Sequence, residues 1–345
     1  MNFKPLFRSI LLITILLPAS LACNAVTNIF LGETPETYTP SAPAPVDPQP
    51  EPTSGALTCP LVTDKILEAA ARYDEADSSE ASSEEPEHLY LVTYSVSGDR
   101  ISAPYYEEVP ADLAGFQEDI SGHKEIWNYF VTLIPSAERD SLAEYSIVTD
   151  GEGNILAAVA QTVNDPAQWG LEVDIRDSDD KLNLTYTLIH EYAHLMTLGP
   201  GQVTPSEAVF NHPDDDDIYL EEVNACPDYF PGEGCSGADS YINAFFDAFW
   251  ADIHAEWQDI NLIENDDGYY EALDDFYSRY EERFVSNYAA TNPEEDIAEA
   301  FTFFVLSSRP NGDTIAEQKI LFFYRYPELI HLRAEILRGV CQLDQ

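Results

Sequence analysis

The sequence predicts an α+β fold in which a small sheet lobe precedes a helical lobe. Short β-branched and aromatic runs dominate residues 57–198, whereas apolar residues recur every three to four positions in much of residues 199–345. A strongly helical segment ending near residue 198 separates the two patterns. About 290 residues remain for this folded part, which is enough for two lobes with a cleft at their boundary.

The predicted elements follow in order along the chain. Helices are predicted at Leu61–Tyr73 and Lys124–Leu133, and strands at Leu89–Val96, Tyr145–Val148, Ile155–Val163 and Trp169–Ile175. The turn residues Asp150–Gly153 predict that the second and third of these strands form a hairpin. The acidic, cysteine-containing stretch Gly199–Gly237 is expected to be loop-rich. The amphipathic helices predicted after it are Tyr241–Trp257, Tyr269–Asn287, Pro293–Ser307, Thr314–Tyr324 and Pro327–Val340.

The N-terminus predicts that the protein is exported. Lys4 and Arg8 precede the apolar run Ile10–Ala22. This run is too short to span a bilayer, so residues 1–22 are typical of a signal peptide.

A possible lipid anchor follows directly. The tetrapeptide Ser20–Cys23 resembles the lipobox of bacterial lipoproteins, which implies that Cys23 becomes the lipidated first residue. The alternatives are an ordinary signal peptide cut nearby, which gives a secreted protein, and an uncleaved membrane anchor. Residues 23–56 are rich in proline and poor in apolar side chains, so they are predicted to form a disordered tether.

Four cysteines remain beyond this region: Cys59, Cys226, Cys235 and Cys341. An even number in an exported chain suggests two disulfides. The pairing of Cys226 with Cys235 and of Cys59 with Cys341 would close one loop and join the two ends of the domain. Two other pairings are possible on paper.

The charge of the chain limits its partners. With 63 acidic and 16 basic residues the net charge is −47, so nucleic acid and anionic lipid surfaces are repelled. We therefore expect membrane contact through the lipid anchor alone. The acidic runs Asp177–Asp180 and Asp214–Asp217 could bind Ca²⁺ through oxygen ligands, but neither has EF-hand spacing, and solvated acidic loops are the alternative.

The segment His190–His194 has the spacing H-E-x-x-H. Residues four apart lie on one face of a helix, so His190 and His194 can hold one zinc ion, with Glu191 beside it as a general base. Asp179–Asp180 before the segment and Gly199–Pro200 after it are typical helix start and stop signals. The alternative is two helical histidines that make ordinary hydrogen bonds.

A catalytic zinc site needs a third protein ligand. The metzincin extension of the motif is excluded, because its glycine and histidine positions hold Thr197 and Pro200. His212 and His254 are candidates by residue type, although neither lies in a recognisable motif.

The segment Tyr288–Phe301 resembles the third-ligand helix of the gluzincin metallopeptidases, most closely that of the catalytic domain of anthrax lethal factor. The shared pattern is Tyr-x-x-Thr-Asn-x-x-Glu-x-x-x-Glu-Ala-Phe. The resemblance implies a zincin-like fold, with Glu295 as the third zinc ligand and Tyr288 as the tyrosine that steadies the oxyanion or the leaving group. Glu299, one turn later, is either a partner of a ligand histidine or a buried carboxylate bonded elsewhere.

Glu295 also has a purely structural interpretation. Asn292 and Pro293 are typical of the start of a helix, and a glutamate three residues after the cap can reach back to the cap's own backbone N–H. Helical periodicity does not separate Glu295 from Glu294, because the helix is apolar on nearly all sides.

These features together predict an exported, lipid-tethered zinc metallopeptidase that acts on a peptide or protein substrate. Two alternatives stay open: a non-catalytic surface lipoprotein that keeps the fold, and a zinc hydrolase of a non-peptide amide. Glu191 favours catalysis, because structural zinc sites need no base and usually have four protein ligands. A strand along the cleft, with Trp169–Ile175 as the candidate, would favour extended peptides by edge pairing.

Overall fold

The structure is a computed structural model that describes residues 59–77, 88–151, 153, 155–263 and 265–344. The signal peptide, the lipobox-like segment Ser20–Cys23 and the predicted tether lie outside the described residues, so they stay predictions. The predicted α+β fold is confirmed: a five-stranded sheet and a two-stranded sheet combine with helices.

The first half of the chain forms the larger sheet. Its elements are α1 (Pro60–Asp77), β1 (Leu89–Ser97), β2 (Arg100–Tyr106), α2 (Ala114–Gln117), α3 (Ile120–Leu133), β3 (Leu142–Thr149), β4 (Ala157–Thr162), β5 (Asp165–Asp174) and α4 (Lys181–Leu198). The strand order is β2-β1-β3-β5-β4. Strands β3 and β5 are parallel and the other neighbours antiparallel, so β4 and β2 form the two edges.

The sequence missed β2, which has no buried residue and therefore no apolar alternation. Ser97 pairs with Arg100 across a two-residue turn. Gly98 occupies this turn with a φ of 58°, a left-handed conformation that glycine adopts at little cost.

The prediction that Asp150–Gly153 joins two paired strands as a hairpin is wrong. Strands β3 and β4 do not pair, because β5 lies between them, and the tight hairpin instead joins β4 to β5, where Thr162 pairs with Asp165. Strand β5 buries residues on both of its faces, as an interior strand does. The predicted cleft strand Trp169–Ile175 is therefore central, and the outer strand on this side is β4.

The second half is mostly helical. Its elements are β6 (Val203–Pro205), α5 (Glu207–Asn211), α6 (Asp216–Ala225), β7 (Gly234–Ser236), α7 (Tyr241–Phe249), α8 (His254–Ile260), α9 (Asp266–Tyr280), α10 (Pro293–Leu306), α11 (Ile315–Phe323) and α12 (Pro327–Val340).

Two predictions about this half need correction. The stretch Gly199–Gly237, which the sequence predicts to be loop-rich, contains the helix α6. The acidic run Asp214–Asp217 begins this helix, because Asp215 caps it by accepting a hydrogen bond from the Ile218 N–H at 3.2 Å. The predicted helix Tyr241–Trp257 is divided into α7 and α8. At the break Trp250 is buried, and its indole donates to Asp296 at 2.7 Å.

One hydrophobic core runs through both halves and includes Ile147 and Val173 of the sheet, Leu188 of α4 and Phe301 of α10. Helix α4 packs against β4 on one side and against α10 and α1 on others. The two predicted lobes therefore share a core, with α4 between them.

Two disulfides close the structure, and they have the pairing that the sequence favoured. Cys59 at the start of α1 is bonded to Cys341 at the end of α12, and Cys226 is bonded to Cys235 across the turn between α6 and β7.

Among the helices of the described ranges, none combines the length and the apolar character that a bilayer span requires.

Candidate metal centre

Helix α4 carries the H-E-x-x-H residues near its middle. Asp180 caps its start by accepting hydrogen bonds from the backbone N–H groups of Leu182 and Asn183, at 3.1 and 3.3 Å. Gly199 ends it, and a Cβ there would lie 2.4 Å from the Leu195 carbonyl oxygen. The predicted start and stop signals are therefore confirmed, and the two histidines lie on the face that packs against α10.

Helix α10 brings Glu295 to these histidines. Asn292 caps the helix, and its side chain accepts a hydrogen bond from the Glu295 backbone N–H at 2.8 Å. The Glu295 carboxylate instead lies against His190 and His194. The residue thus takes part in the capping turn through its backbone, while its carboxylate faces the histidines.

Three potential ligand atoms form a small triangle. The Nε2 of His190 lies 2.9 Å from Glu295 Oε2 and 3.1 Å from the Nε2 of His194, which is 3.4 Å from the same oxygen. Ligands bound tetrahedrally to zinc at about 2.0–2.2 Å are roughly 3.3 Å apart, so these separations fit one ion. The three side chains are buried, with exposures of 5%, 8% and 3% for His190, His194 and Glu295.

A second carboxylate orients His190. Glu299 Oε1 lies 2.9 Å from His190 Nδ1, so the Nδ1–H donates to this carboxylate and Nε2 is the ring nitrogen that faces the triangle. Glu299 in turn accepts hydrogen bonds from the hydroxyls of Tyr186, at 2.8 Å to each oxygen, and Ser286, at 2.6 Å. Of the two interpretations of Glu299, the structure supports the one in which its carboxylate contacts His190.

The histidines differ in what surrounds them. Burial by itself would lower the pKa of His190, but its hydrogen bonds to Glu295 and Glu299 raise this pKa well above the ordinary value. His194 Nδ1, in contrast, is buried and has no hydrogen-bond partner among the described residues.

Glu191 lies beside the triangle. One potential ligand atom each from His190, Glu191 and His194 lies within 4.8 Å of the others. Burial raises the pKa of Glu191 to about 7, although both histidines and a backbone hydrogen bond from Val159 of β4 lower it. A carboxyl group with this pKa can accept and release a proton at neutral pH, as a general base must.

Tyr288 precedes α10 in a short 3₁₀ turn, and its ring centre lies 5.8 Å from that of His190. The whole residue is 42% exposed, which argues against a core-packing role. Its hydroxyl nevertheless lies among carboxylates: burial, followed by the charges of Glu295, Glu191 and Glu299, raises its pKa well above the ordinary value. The hydroxyl is hydrogen-bonded to Glu295 and stays protonated at neutral pH, as a hydrogen-bond donor must.

The other candidates for third ligand lie elsewhere. The Glu294 carboxylate accepts a hydrogen bond from the Tyr229 hydroxyl at 2.7 Å. His212 is exposed at the end of α5. His254 packs against the rings of Phe246 and Trp257, and burial lowers its pKa.

Sequence reasoning missed three residues of this centre: Tyr186, Ser286 and Val159. Tyr186 precedes His190 by four positions and so shares its helix face, which is a signal that the sequence contains. Ser286 and Val159 reach the centre only through the packing of other segments, and no local pattern marks them.

Comparisons of the chain with protein-family models, with curated proteins and with solved structures found no match. The resemblance to gluzincins rests on the two sequence motifs and stays a prediction.

Proposed function

We propose that this protein is an exported zinc-dependent metallopeptidase of gluzincin type. The observation that carries the proposal is the triangle of His190 Nε2, His194 Nε2 and Glu295 Oε2, with edges of 2.9 to 3.4 Å and with Glu191 alongside. Two imidazoles and one carboxylate are the ligand set of many catalytic zinc sites, which leave the fourth position open.

In this proposal His190, His194 and Glu295 hold the metal. When bound, Zn²⁺ polarises the substrate carbonyl and lowers the pKa of a water molecule towards neutrality. The Nε2 atoms of His190 and His194 face each other at 3.1 Å beside the Glu295 carboxylate, an arrangement that fits a site completed by an ion.

The protein's own groups then handle protons and charge. The Glu191 carboxylate accepts the proton of the attacking water and returns it to the departing amine. The backbone hydrogen bond from Val159 orients Glu191 for this transfer. The Tyr288 hydroxyl donates a hydrogen bond to the negative charge that develops on the carbonyl oxygen.

The position of β4 favours a peptide substrate. Val159 of this outer strand is hydrogen-bonded to Glu191, so the strand runs directly beside the site. An extended peptide can pair with such an edge through main-chain hydrogen bonds. This argument uses β4 in place of the central strand that the sequence suggested.

Export fits the two disulfides, which persist in oxidising compartments.

We further propose that Cys23 anchors the protein to a cell surface. Cys23→Ala should release wild-type-folded protein from the membrane fraction and remove the lipid mass, and recovery of unmodified, soluble wild-type protein would contradict the anchor.

The test of the proposed function compares the wild type with Glu191→Gln, which keeps the shape of the side chain and removes the base. Zinc content is measured by mass spectrometry, and hydrolysis with a proteome-derived peptide library. We expect equal zinc and a loss of turnover of about 10²- to 10⁴-fold in the variant. Glu125→Gln, at an exposed position of α3, is the matched control.

Full activity in Glu191→Gln would contradict this mechanism. A wild-type protein that binds zinc and cleaves no peptide would favour the non-catalytic binding lipoprotein.

A further inference from the structure

A second cluster of carboxylates lies where β3 and β5 end, just before the start of α4. Asp150 directly follows β3, Asp174 is the last residue of β5, and Asp177 lies in the turn before α4. Because β3 and β5 are parallel, with Val148 paired to Asp174, their C-terminal ends meet at the same edge of the sheet. The three side chains each offer one potential ligand oxygen within 4.8 Å of the others.

Backbone N–H groups donate hydrogen bonds to both oxygens of Asp174 and to one oxygen of Asp150. Asp174 accepts from the N–H of Asp150 at 2.8 Å and from that of Arg176 at 2.6 Å, and Asp150 Oδ2 accepts from the Ile155 N–H at 3.0 Å. These bonds fix the direction of two carboxylates before any ligand arrives.

Two oxygens of the cluster have no partner. Asp150 Oδ1 and Asp177 Oδ2 are buried without a hydrogen bond among the described residues, and Asp150 as a whole is only 3% exposed. A buried carboxylate oxygen without a donor or a cation is costly. The unpartnered atoms therefore point to a ligand.

The charge of the cluster points in the same direction. Burial raises the pKa of Asp150 and the nearby Asp174 carboxylate raises it further, although the Ile155 N–H opposes this rise. A proton or a cation between the two carboxylates would relieve their repulsion. Burial, followed by the charges of Asp174 and Asp150, raises the pKa of Asp177 to about 6. Two basic groups act on the cluster, Arg176 on Asp177 and His88 on Asp150.

We propose that Asp150, Asp174 and Asp177 together bind one Ca²⁺ ion. The donors are all carboxylate oxygens, which suit a hard cation, and Ca²⁺ accepts the irregular geometry that strand ends and a turn provide. The ion joins the ends of β3 and β5 to the start of α4 and neutralises the repulsion among the three acids. His190 lies nine residues beyond the start of α4, about 14 Å along the helix, so this site is separate from the candidate zinc centre.

Of the two acidic runs that the sequence offers as Ca²⁺ sites, only Asp177 of the first belongs to this site. Asp180 of the first run caps α4, and Asp215 of the second caps α6. Asp177 binds with Asp150 and Asp174, which come from distant positions in the chain.

The test is Ca²⁺ titration of the full mature protein, freed of Ca²⁺ on a chelating resin and checked for retained zinc. Calorimetry with CaCl₂ should give one site per chain with a Kd on the order of 10⁻⁴ M. The melting temperature should rise by about 5 °C at a CaCl₂ concentration near a hundred times Kd. MgCl₂ should give a clearly smaller rise, and an equal rise would overturn the assignment to Ca²⁺.

Asp177→Asn is the diagnostic variant, because its side chain accepts no hydrogen bond from the described residues that the change would remove. We expect Ca²⁺ affinity to fall at least tenfold, while the melting temperature without Ca²⁺ stays equal or rises as repulsion is relieved. Asp150→Asn should lose Ca²⁺ affinity in the same way. Asp214→Asn removes one exposed acid from the other run and should behave as the wild type.

Absence of a Ca²⁺-dependent heat or melting shift in the wild type would overturn the proposal, as would an unchanged affinity in Asp177→Asn. Peptide hydrolysis is not read in this experiment, so its outcome is independent of the proposed peptidase activity.

Discussion

Two successive glutamates in the first turn of α10 face opposite environments. The Glu295 carboxylate lies against His190 and His194, whereas the Glu294 carboxylate is hydrogen-bonded to Tyr229. Glu294 also faces Glu233 of the stretch that precedes β7, and that side chain is 8% exposed. One helix turn thus divides a histidine side from a tyrosine side.

The comparison shows that the charge of a buried acid depends on its partners as well as on its burial. Burial acts to raise the pKa of both residues. For Glu295 the two histidines reverse this effect and bring the pKa below its usual value. For Glu294 burial prevails and raises the pKa to about 7, and burial together with Glu294 raises that of Glu233 to about 8. The Glu295 carboxylate on the histidine side therefore stays ionised and is suited to bind a cation. On the tyrosine side, the raised pKa values favour protonated carboxyl groups.

The strongest test of this comparison exchanges each glutamate for alanine. Glu295→Ala should lower zinc affinity by more than the roughly 10- to 100-fold that loss of an outer partner costs, because a ligand itself is removed. Glu294→Ala should keep zinc within a few-fold of the wild type. Zinc affinity is measured by competition with a chelator, and melting temperature is recorded for both variants.

A Glu295→Ala protein with full zinc and a slightly lower melting temperature would contradict ligation. Glu295 would then act in the capping turn alone, which contributes about 1 kcal/mol.

Tyr288→Phe should reduce turnover by roughly 10²- to 10³-fold, because it removes a hydrogen-bond donor from the developing negative charge. Zinc content and melting temperature should change little, since the residue is 42% exposed. Steady-state kinetics on a cleaved library peptide and a thermal melt measure the two effects. Loss of stability with activity intact would assign the tyrosine to packing.

Glu299→Gln should weaken zinc binding by about 10- to 100-fold, because it disturbs the hydrogen bond that orients His190. The same chelator competition measures this change, with Glu125→Gln as the exposed control. An unchanged zinc affinity would contradict this role, because it would show that the orientation of His190 does not need a charged acceptor at position 299.

The smallest expected effect concerns Glu233 and pH. Its folded pKa of about 8 exceeds the usual value of 4.5, so between these pH values the folded protein keeps a proton that the unfolded chain has lost. The contribution of Glu233 to folding stability therefore falls as pH rises through this range. Glu233→Gln removes the titration and should raise the free energy of unfolding at pH 8 by at least about 1 kcal/mol.

Near the lower end of this pH range the Glu233→Gln variant and the wild type should have similar stability. Denaturant unfolding at both pH values measures the difference. The control is Glu221→Gln, which removes one exposed charge from α6. An equal gain in the control would assign the effect to net charge.

Most local features were accessible from the sequence. The bounds of α12 and the start of α10 agree with the predicted helices, and Asp180 and Gly199 bound α4 as expected. Each depends on side chains within a few positions, such as a cap, a proline or apolar spacing.

Features that depend on contacts between distant segments were not accessible. The observed strand order differs from the predicted pairing of the strands on either side of Asp150–Gly153. The chain passes from β3 to the outer strand β4 before it returns to β5, which lies between them. The oxygen cluster of Asp150, Asp174 and Asp177 depends on that parallel pairing and has no sequence motif.

By itself the sequence determined that His190, Glu191 and His194 share a neighbourhood, because helix geometry fixes residues one turn apart. Only the tertiary structure decided that Glu295, and not Glu294, meets them. His190 and Glu295 are 105 residues apart in the chain, and in a first turn that is buried on most sides the packing of α10 against α4 selects which carboxylate points inward. Local periodicity carries no information about that choice.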